Sequence, residues 1–310
     1  MKGYAVLILV TVGLFLLLPV CFLREQAIPT PTATQPTEAA STFTVRHGDE
    51  QTVSSVEADV LTRYAVMGTL APDAPDEAIK AQAVACYTAF CYAQQHDGEV
   101  RTALPYPDAF DDAYWKEKWG EGFEKHAPRF QKAIDAVRGE RLTYQGEPIL
   151  AAYHALNTGK TESAKTVLGE AVPYLKTVGS PLDATAPEQL STVTVSQDEA
   201  KKTLKTLCAT EDLGEAATWF GEPKKSEAGT VLSVTVCGTK QTGAAVQQAF
   251  SLPSAAFDVC VQGNEVIFTV HGRGHFLGMS VYGATTMADG GNTYKEILRH
   301  YYPDTELKKG

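Results

Sequence analysis

Between Asp76 and Gln95 the apolar residues Ala78, Ile79, Ala81, Ala83, Val84, Ala85, Ala89 and Phe90 cover most of the circumference of a helix instead of one stripe. A helix that is apolar on every side has to be enclosed by the rest of its domain. Whatever else the chain builds must therefore wrap around this element. Its start is marked too, because Asp73-Ala-Pro75-Asp76 supplies a capping residue, an early proline and an acidic first turn. The spacing predicts a central, buried helix from Asp76 to Gln95.

Around it the pattern alternates between helical and extended periods. Further helix is expected over Gly120–Val137, and a short one over Gln197–Leu207. Thr293 with Glu296 forms a capping-box signature for a last helix that Pro303 would stop. Strand-like runs occur at Arg141–Tyr144, Ile149–His154, Thr192–Val195, Thr230–Val236 and Glu265–Val270. The mixture predicts an α+β fold, with residues 184–257 a candidate for a lobe of its own. At 310 residues and 44% hydrophobic content the chain can bury one large or two small cores.

Ahead of the globular part, Tyr4–Leu23 is an uncharged, mostly apolar run. About 20 such residues span a bilayer core. Leu18-Pro19-Val20-Cys21-Phe22 lacks a small-x-small cleavage site, and Val20 is too bulky for a lipoprotein box, so residues 1–25 are expected to be a retained membrane anchor. Lys2 precedes the run and Arg24 is offset by Glu25, which favours a cytoplasmic N-terminus with the bulk of the chain outside. Residues 26–42 follow as a Pro/Thr-rich linker, and a globular domain is expected from Phe43 to Gly310.

A net charge of −10 disfavours nucleic acid as a partner. Beyond the apolar run lie Cys86, Cys91, Cys208, Cys237 and Cys260, an odd set that cannot pair completely. Cys86 and Cys91 fall on different faces of one helix. Cys237 and Cys260 sit in strand-like runs and are the pair open to bridging, with buried free thiols as the alternative.

The densest chemistry lies near the C-terminus. From Gly274 the chain reads Gly-His-Phe-Leu-Gly-Met-Ser-Val-Tyr-Gly-Ala, and Tyr294-Lys-Glu-Ile-Leu-Arg-His-Tyr-Tyr302 closes it. Two further blocks accompany this segment. One is Glu77-Ala-Ile-Lys-Ala-Gln-Ala-Val-Ala85. The other runs from Ala152-Tyr-His154 through Gly159-Lys-Thr-Glu-Ser-Ala164 to Pro173-Tyr-Leu-Lys-Thr-Val178 and Ser180-Pro-Leu-Asp183. In this order the three blocks resemble the stage II sporulation protein D family, whose known members are peptidoglycan lytic transglycosylases. The resemblance spans most of Phe43–Leu307.

It implies a glycan cleft, possible two-lobed architecture, and cleavage between N-acetylmuramic acid and N-acetylglucosamine with a 1,6-anhydro end. That chemistry needs one carboxyl group to act as acid and then as base, with its pKa raised by a partly apolar site. In the family this is a Glu eight residues before the Glu that opens the buried helix. Counting back from Glu77 gives Thr69, whose hydroxyl can bond a sugar but is no general acid near neutral pH. Three readings follow. Glycan binding persists without catalysis; another carboxylate such as Asp73, Asp76 or Glu162 takes over; or a gap displaces the alignment or the chemistry differs. Helix capping is the competing role for Asp73 and Asp76.

Other departures are Val281, where the family has Gln, and Leu156-Asn157-Thr158, which lacks the Cys associated with zinc in some members. No metal and no cofactor is expected. The residues carried over as substrate-binding are Gln82, His154, Thr161, Glu162, His275, Ser280 and Tyr282. Trp115 and Trp119, with Tyr114, are either sugar-stacking or core aromatics. The resemblance further implies peptidoglycan strands, the membrane and other engulfment proteins as partners, including a membrane protein and a peptidoglycan amidase/endopeptidase. The implied location is the mother-cell membrane facing the septal space. A Ser hydrolase is disfavoured because no Gly-x-Ser-x-Gly occurs, and the His271/His275 pair supplies no metalloenzyme helix.

Overall fold

A computed structural model of the chain describes residues 42–48, 52–105 and 107–310. The expected anchor, and all of the expected linker but Thr42, lie outside the described residues, among which no helix is long and apolar enough to cross a membrane. The fold is α+β and divides into two compact units. Unit 1 comprises the chain up to Tyr153, Val172–Lys176 and Gly278–Gly310. Unit 2 comprises His154–Ala171 and Thr177–Leu277.

Unit 1 is built around the predicted helix. β1 (Thr42–Arg46) pairs antiparallel with β2 (Val53–Glu57), and β3 (Val100–Arg101) joins β1 in parallel. α1 (Ala58–Thr69) leads to α2 (Asp76–Asp97), whose C-terminal turn is closed by Gly98 in a left-handed conformation, φ 74°. Ala78, Ile79, Val84, Ala85 and Ala93 of α2 are all fully buried. α2 is enclosed by α1, by α4 (Phe123–Ala136), by β4 (Glu140–Tyr144), and by α8 (Val281–Asp289) and α9 (Tyr294–Tyr301) from the C-terminal end of the chain. Burying a side chain such as Ile79 or Phe90 contributes about 1.5–3 kcal/mol each. β4 also pairs with β5 (Glu147–Pro148) and with β13 (Glu306–Lys309), a strand beyond Pro303 that the sequence did not announce.

Two expectations are corrected in unit 1, and one open alternative closes. Pro75 is the N-cap of α2, with no side-chain cap bond; Asp73 is exposed, and Asp76 faces Arg129 at 3.6 Å. Most of the Ile149–His154 run is not strand, and only β6 (Tyr153–His154) is extended. The backbone there is satisfied otherwise, since Leu150 N–H donates to the Tyr174 hydroxyl at 3.2 Å and Ala152 N–H donates to Leu150 O at 2.9 Å. Trp115, on α3 (Asp112–Trp119), is a core residue: it is 4% exposed, donates Nε1–H to Ala109 O at 2.9 Å, and stacks on Tyr64. Trp119 packs edge-on against Phe130 with centroids 5.0 Å apart.

In α9 both halves of the capping box form, with the Thr293 hydroxyl accepting from Glu296 N–H and Glu296 Oε2 accepting from Thr293 N–H at 2.8 Å. Thr293→Ala is expected to cost about 1 kcal/mol, read as a lower urea midpoint at unchanged slope.

Unit 2 contains an antiparallel sheet in the order β11 (Phe257–Gln262), β12 (Glu265–His271), β7 (Leu190–Ser196). Val266, Phe268 and Val270 alternate inward along β12 and meet Leu204 of α6 (Gln197–Cys208), Trp219, and Val246 and Phe250 of α7 (Gly243–Phe250). The second sheet has the order β10 (Thr239–Gln241), β9 (Val231–Val236), β8 (Lys224–Lys225). A four-residue helix, α5 (Ala164–Val167), precedes these elements and is capped by Ser163.

Candidate functional site

In unit 1 the residue at the expected acid position ends α1. Thr69 is half-buried and its hydroxyl donates back to Val66 O at 3.0 Å, a bond internal to the helix. Glu77 opens α2 but is no replacement. Burial pushes its carboxyl up, yet bonds from Lys80 Nζ at 2.6 Å and from Tyr294 N–H at 2.7 Å outweigh that and hold it below the usual range. Its role is to tie the start of α2 to the start of α9.

Gln82 is 1% exposed, donates Nε2–H to Cys86 Sγ at 3.3 Å, and leaves its Oε1 without a partner. Cys86 in turn donates to the Tyr153 hydroxyl at 3.6 Å, and burial pushes its thiol up to about 11. This Gln–Cys–Tyr cluster was not foreseen beyond Gln82. Ser280, fully buried, caps α8 by accepting from Gly283 N–H at 3.0 Å. Val281, at the family's Gln position, is buried in the first turn of α8. Tyr282, in the first turn of α8, is half-buried.

Unit 2 holds the two histidines. His154 is 2% exposed, and its ring lies 6.0 Å from that of His275. Their tautomers follow from their bonds. His154 Nδ1 meets Leu277 O at 3.2 Å and so carries the proton, while its Nε2 accepts from Asn157 Nδ2–H at 3.2 Å. His275 Nδ1 accepts from Leu277 N–H at 3.0 Å, which places the His275 proton on Nε2. Among the described residues that Nε2–H has no partner, whereas both nitrogens of His154 are committed.

Burial holds the His154 imidazole down to about 3, with the neighbouring His275 ring pushing the same way, and burial holds His275 down to about 4. Both rings are neutral near pH 7 and gain protons more readily in the unfolded chain, from about pH 6.5 downward. Lowered pKa values on bases make stability fall with acid. Between pH 7 and 5, His154 alone is expected to remove about 2 kcal/mol from unit 2, and His275 adds in the same direction. Urea midpoints at pH 7, 6 and 5 check this; a flat profile contradicts it.

Asn157 is anchored in turn, its N–H donating to Asp183 Oδ1 at 3.0 Å and its Oδ1 accepting from Gly159 N–H at 2.8 Å. The Ser180 hydroxyl donates to Asp183 Oδ2 at 2.5 Å. This support is the physical content of the Ser180-Pro-Leu-Asp183 block, and the sequence offered Asn157 no signal beyond its spacing from His154. Thr161 is fully buried and clasps Val178, whose N–H donates to Thr161 Oγ1 at 2.9 Å. Glu162 is 3% exposed; its Oε1 accepts from the Ser226 hydroxyl and its N–H donates to Phe276 O at 2.8 Å, which fixes it beside the His275 segment. Gly274, at φ 103°, lies where a Cβ would stand 2.8 Å from the His154 Cβ, so a side chain there would displace the ring.

The structure thus distributes the expected residues between two units: Thr69, Asp73, Gln82, Ser280 and Tyr282 in unit 1, and His154, Thr161, Glu162 and His275 in unit 2. Among the described residues no group of three or more His, Cys, Asp or Glu is placed to hold a metal ion.

Comparison with known proteins agrees with these motifs. Residues 46–144 match the family model described as "Stage II sporulation protein". The chain is 30% identical over 269 residues to the stage II sporulation protein D of Bacillus amyloliquefaciens, covering 82% of this chain and 76% of that one. It is likewise 30% identical over 270 residues to the stage II sporulation protein D of Bacillus subtilis, with the same coverage. A Bacillus subtilis protein named "Amidase enhancer" is 27% identical over 280 residues, covering 74% of this chain and 38% of that protein. The chain belongs to the stage II sporulation protein D family.

Proposed function

We propose that the chain is a membrane-anchored protein of endospore formation that binds peptidoglycan strands and supports their remodelling during engulfment, without itself carrying the family's general acid. Family membership supports the sporulation role, and the relative named an amidase enhancer supports a connection with the cell wall. In this reading the Tyr4–Leu23 run holds the protein at the mother-cell membrane with its bulk outside the cytoplasm. Other engulfment proteins supply the bond cleavage.

The observation that carries the loss of catalysis is Thr69 itself, whose hydroxyl is turned into its own helix through Val66 O. The carboxylates nearest in sequence do not offer what a glycosidic acid needs. Asp73 is exposed, and Asp76 is exposed and faces Arg129; neither stands in the partly apolar site that a glycosidic acid occupies. Binding rests instead on donors that remain open. His275 presents a neutral Nε2–H, and a sugar hydroxyl or acetamide oxygen is a matching acceptor. The half-buried Tyr282 supplies a further polar group in unit 1.

The test uses the detergent-solubilised full-length chain with denuded glycan strands, read by co-sedimentation and by mass spectrometry of released fragments. Strands that sediment with the protein and carry no 1,6-anhydro ends are expected. Anhydro products that vanish in Asp73→Ala but persist in Thr69→Ala would establish the other reading, an active lytic transglycosylase with a relocated acid.

A further inference from the structure

The unit 2 cysteines are arranged differently from the pairing considered in the sequence. All five described cysteines are free thiols. Cys260, on β11, is exposed. Cys208, the last residue of α6, lies instead beside the β9–β10 turn that holds Cys237.

Backbone and side-chain bonds on either side hold this approach in place. Cys208 Sγ donates to Val236 O at 3.4 Å, the carbonyl immediately before Cys237, and Gln241 Nε2 donates to Leu207 O at 3.2 Å. Cys237 N–H is fixed by Trp219 O at 2.8 Å. Cys237 itself occupies the turn between β9 and β10 at φ 45°, a left-handed position in which glycine or asparagine is the ordinary choice. Both side chains are half-buried at the rim of the unit 2 core, within reach of a small oxidant.

We propose that Cys208 and Cys237 form a reversible disulfide, a redox-dependent staple that ties the end of α6 to the β9–β10 turn and closes the chain segment carrying Trp219. The oxidant is a low-molecular-weight or protein disulfide. One thiolate attacks it to give a mixed disulfide and release one thiol, and the second thiolate then displaces the other sulfur. Two protein thiols thereby lose two electrons and two protons, and the oxidant's two sulfurs leave as thiols. Burial raises both protein thiols, Cys237 to about 11, with the neighbouring Cys208 adding to the rise. The thiolate fraction is therefore small at neutral pH, and closure accelerates about tenfold for each pH unit below that range.

The experiment exposes the native, reduced full-length chain to oxidised glutathione at pH 7 and pH 8, followed by alkylation, proteolysis and mass spectrometry. A single intramolecular Cys208–Cys237 cross-link is expected, forming about ten times faster at pH 8. It should raise the unfolding temperature of unit 2 by roughly 5–10 °C and be reversed by dithiothreitol. Cys260→Ser should leave both effects intact, and Cys208→Ser should abolish them. A cross-link from Cys237 to Cys260, a stable glutathione adduct on either residue, or closure only in urea would overturn the proposal. Because the peptide map of the unaltered chain decides among these outcomes, the result does not depend on any variant folding.

Discussion

Gly278→Ala is expected to disrupt unit 1 more than any other single-methyl change. Gly278 sits at φ 69°, and a Cβ there would lie 1.9 Å from Ala152 O and 2.8 Å from the Ala152 carbonyl carbon, both backbone atoms that no rotamer change can move aside. The oxygen it would strike already accepts two bonds, from Met279 N–H at 3.0 Å and from the Tyr302 hydroxyl at 2.7 Å. Pushing the two segments apart leaves both donors unpaired, and Tyr302 is fully buried. Strain plus two lost bonds totals on the order of 4 kcal/mol or more, a large share of the 5–15 kcal/mol that holds a typical domain together. Urea unfolding of the variant should show a collapse of the midpoint or no folded baseline at all. Gly291→Ala is the calibrating partner, because Gly291 has φ 89° but nothing within 4 Å of its Cβ position. It should cost only the conformational penalty, about 1 kcal/mol. Equal losses in the two variants would refute the steric account.

Thr69→Glu is expected to produce 1,6-anhydro-ended glycan fragments that the parent chain does not make. The site favours the substitution in two ways. Thr69 is the last residue of α1, where the unpaired carbonyls give the helix end about half a negative charge; a carboxyl group there is pushed towards its protonated form, as a general acid requires. Its neighbours Met67 and Leu70 are buried apolar side chains, which push in the same direction. Loss of the Thr69–Val66 bond and the unfavourable charge together cost about 1 kcal/mol, so the variant should remain folded. General acid catalysis is typically worth 10²–10⁴-fold, and product at even the lower figure over the parent background is measurable by mass spectrometry. Glycan binding unchanged with no product would show that the acid position lies elsewhere or that a second group is also missing.

The elements that were legible in the sequence are those whose local chemistry and packing agree. α2 has Pro75 at its boundary and apolar residues on all sides, and it starts at Asp76 as expected and runs to Asp97, two residues past the expected Gln95. α9 and α6 are each preceded by a Thr or Ser with Glu three residues on, and both capping boxes form. α1 was not recognised. Its N-cap, Glu57, makes no side-chain cap bond, and Val60, Thr62 and Val66 are β-branched, so its helicity comes from packing Leu61, Ala65 and Val66 against neighbours that no local signal reveals. The candidate site divides in the same way. The sequence singled out His154 and His275 as a pair of similar candidates. The roles separate only through the peptide of Leu277, whose carbonyl takes the proton of one ring while its N–H occupies Nδ1 of the other. Spacing along a chain does not encode which nitrogen is left open.

Unit 1 is discontinuous: its chain leaves after Tyr153 and, apart from Val172–Lys176, returns only at Gly278. The bond from Tyr294 N–H to Glu77 that fastens the start of α2 joins residues 217 positions apart. During synthesis at about 5–20 residues per second, α2 therefore waits on the order of ten seconds or longer for the helices that enclose it. Most of unit 2 is a single run from Thr177 to Leu277 and can be completed first, so the later-synthesised unit is the earlier to mature. The apolar helix that organises unit 1 is consequently the segment most in need of protection on the nascent chain, and truncation near the C-terminus should harm the first hundred residues before it harms the second.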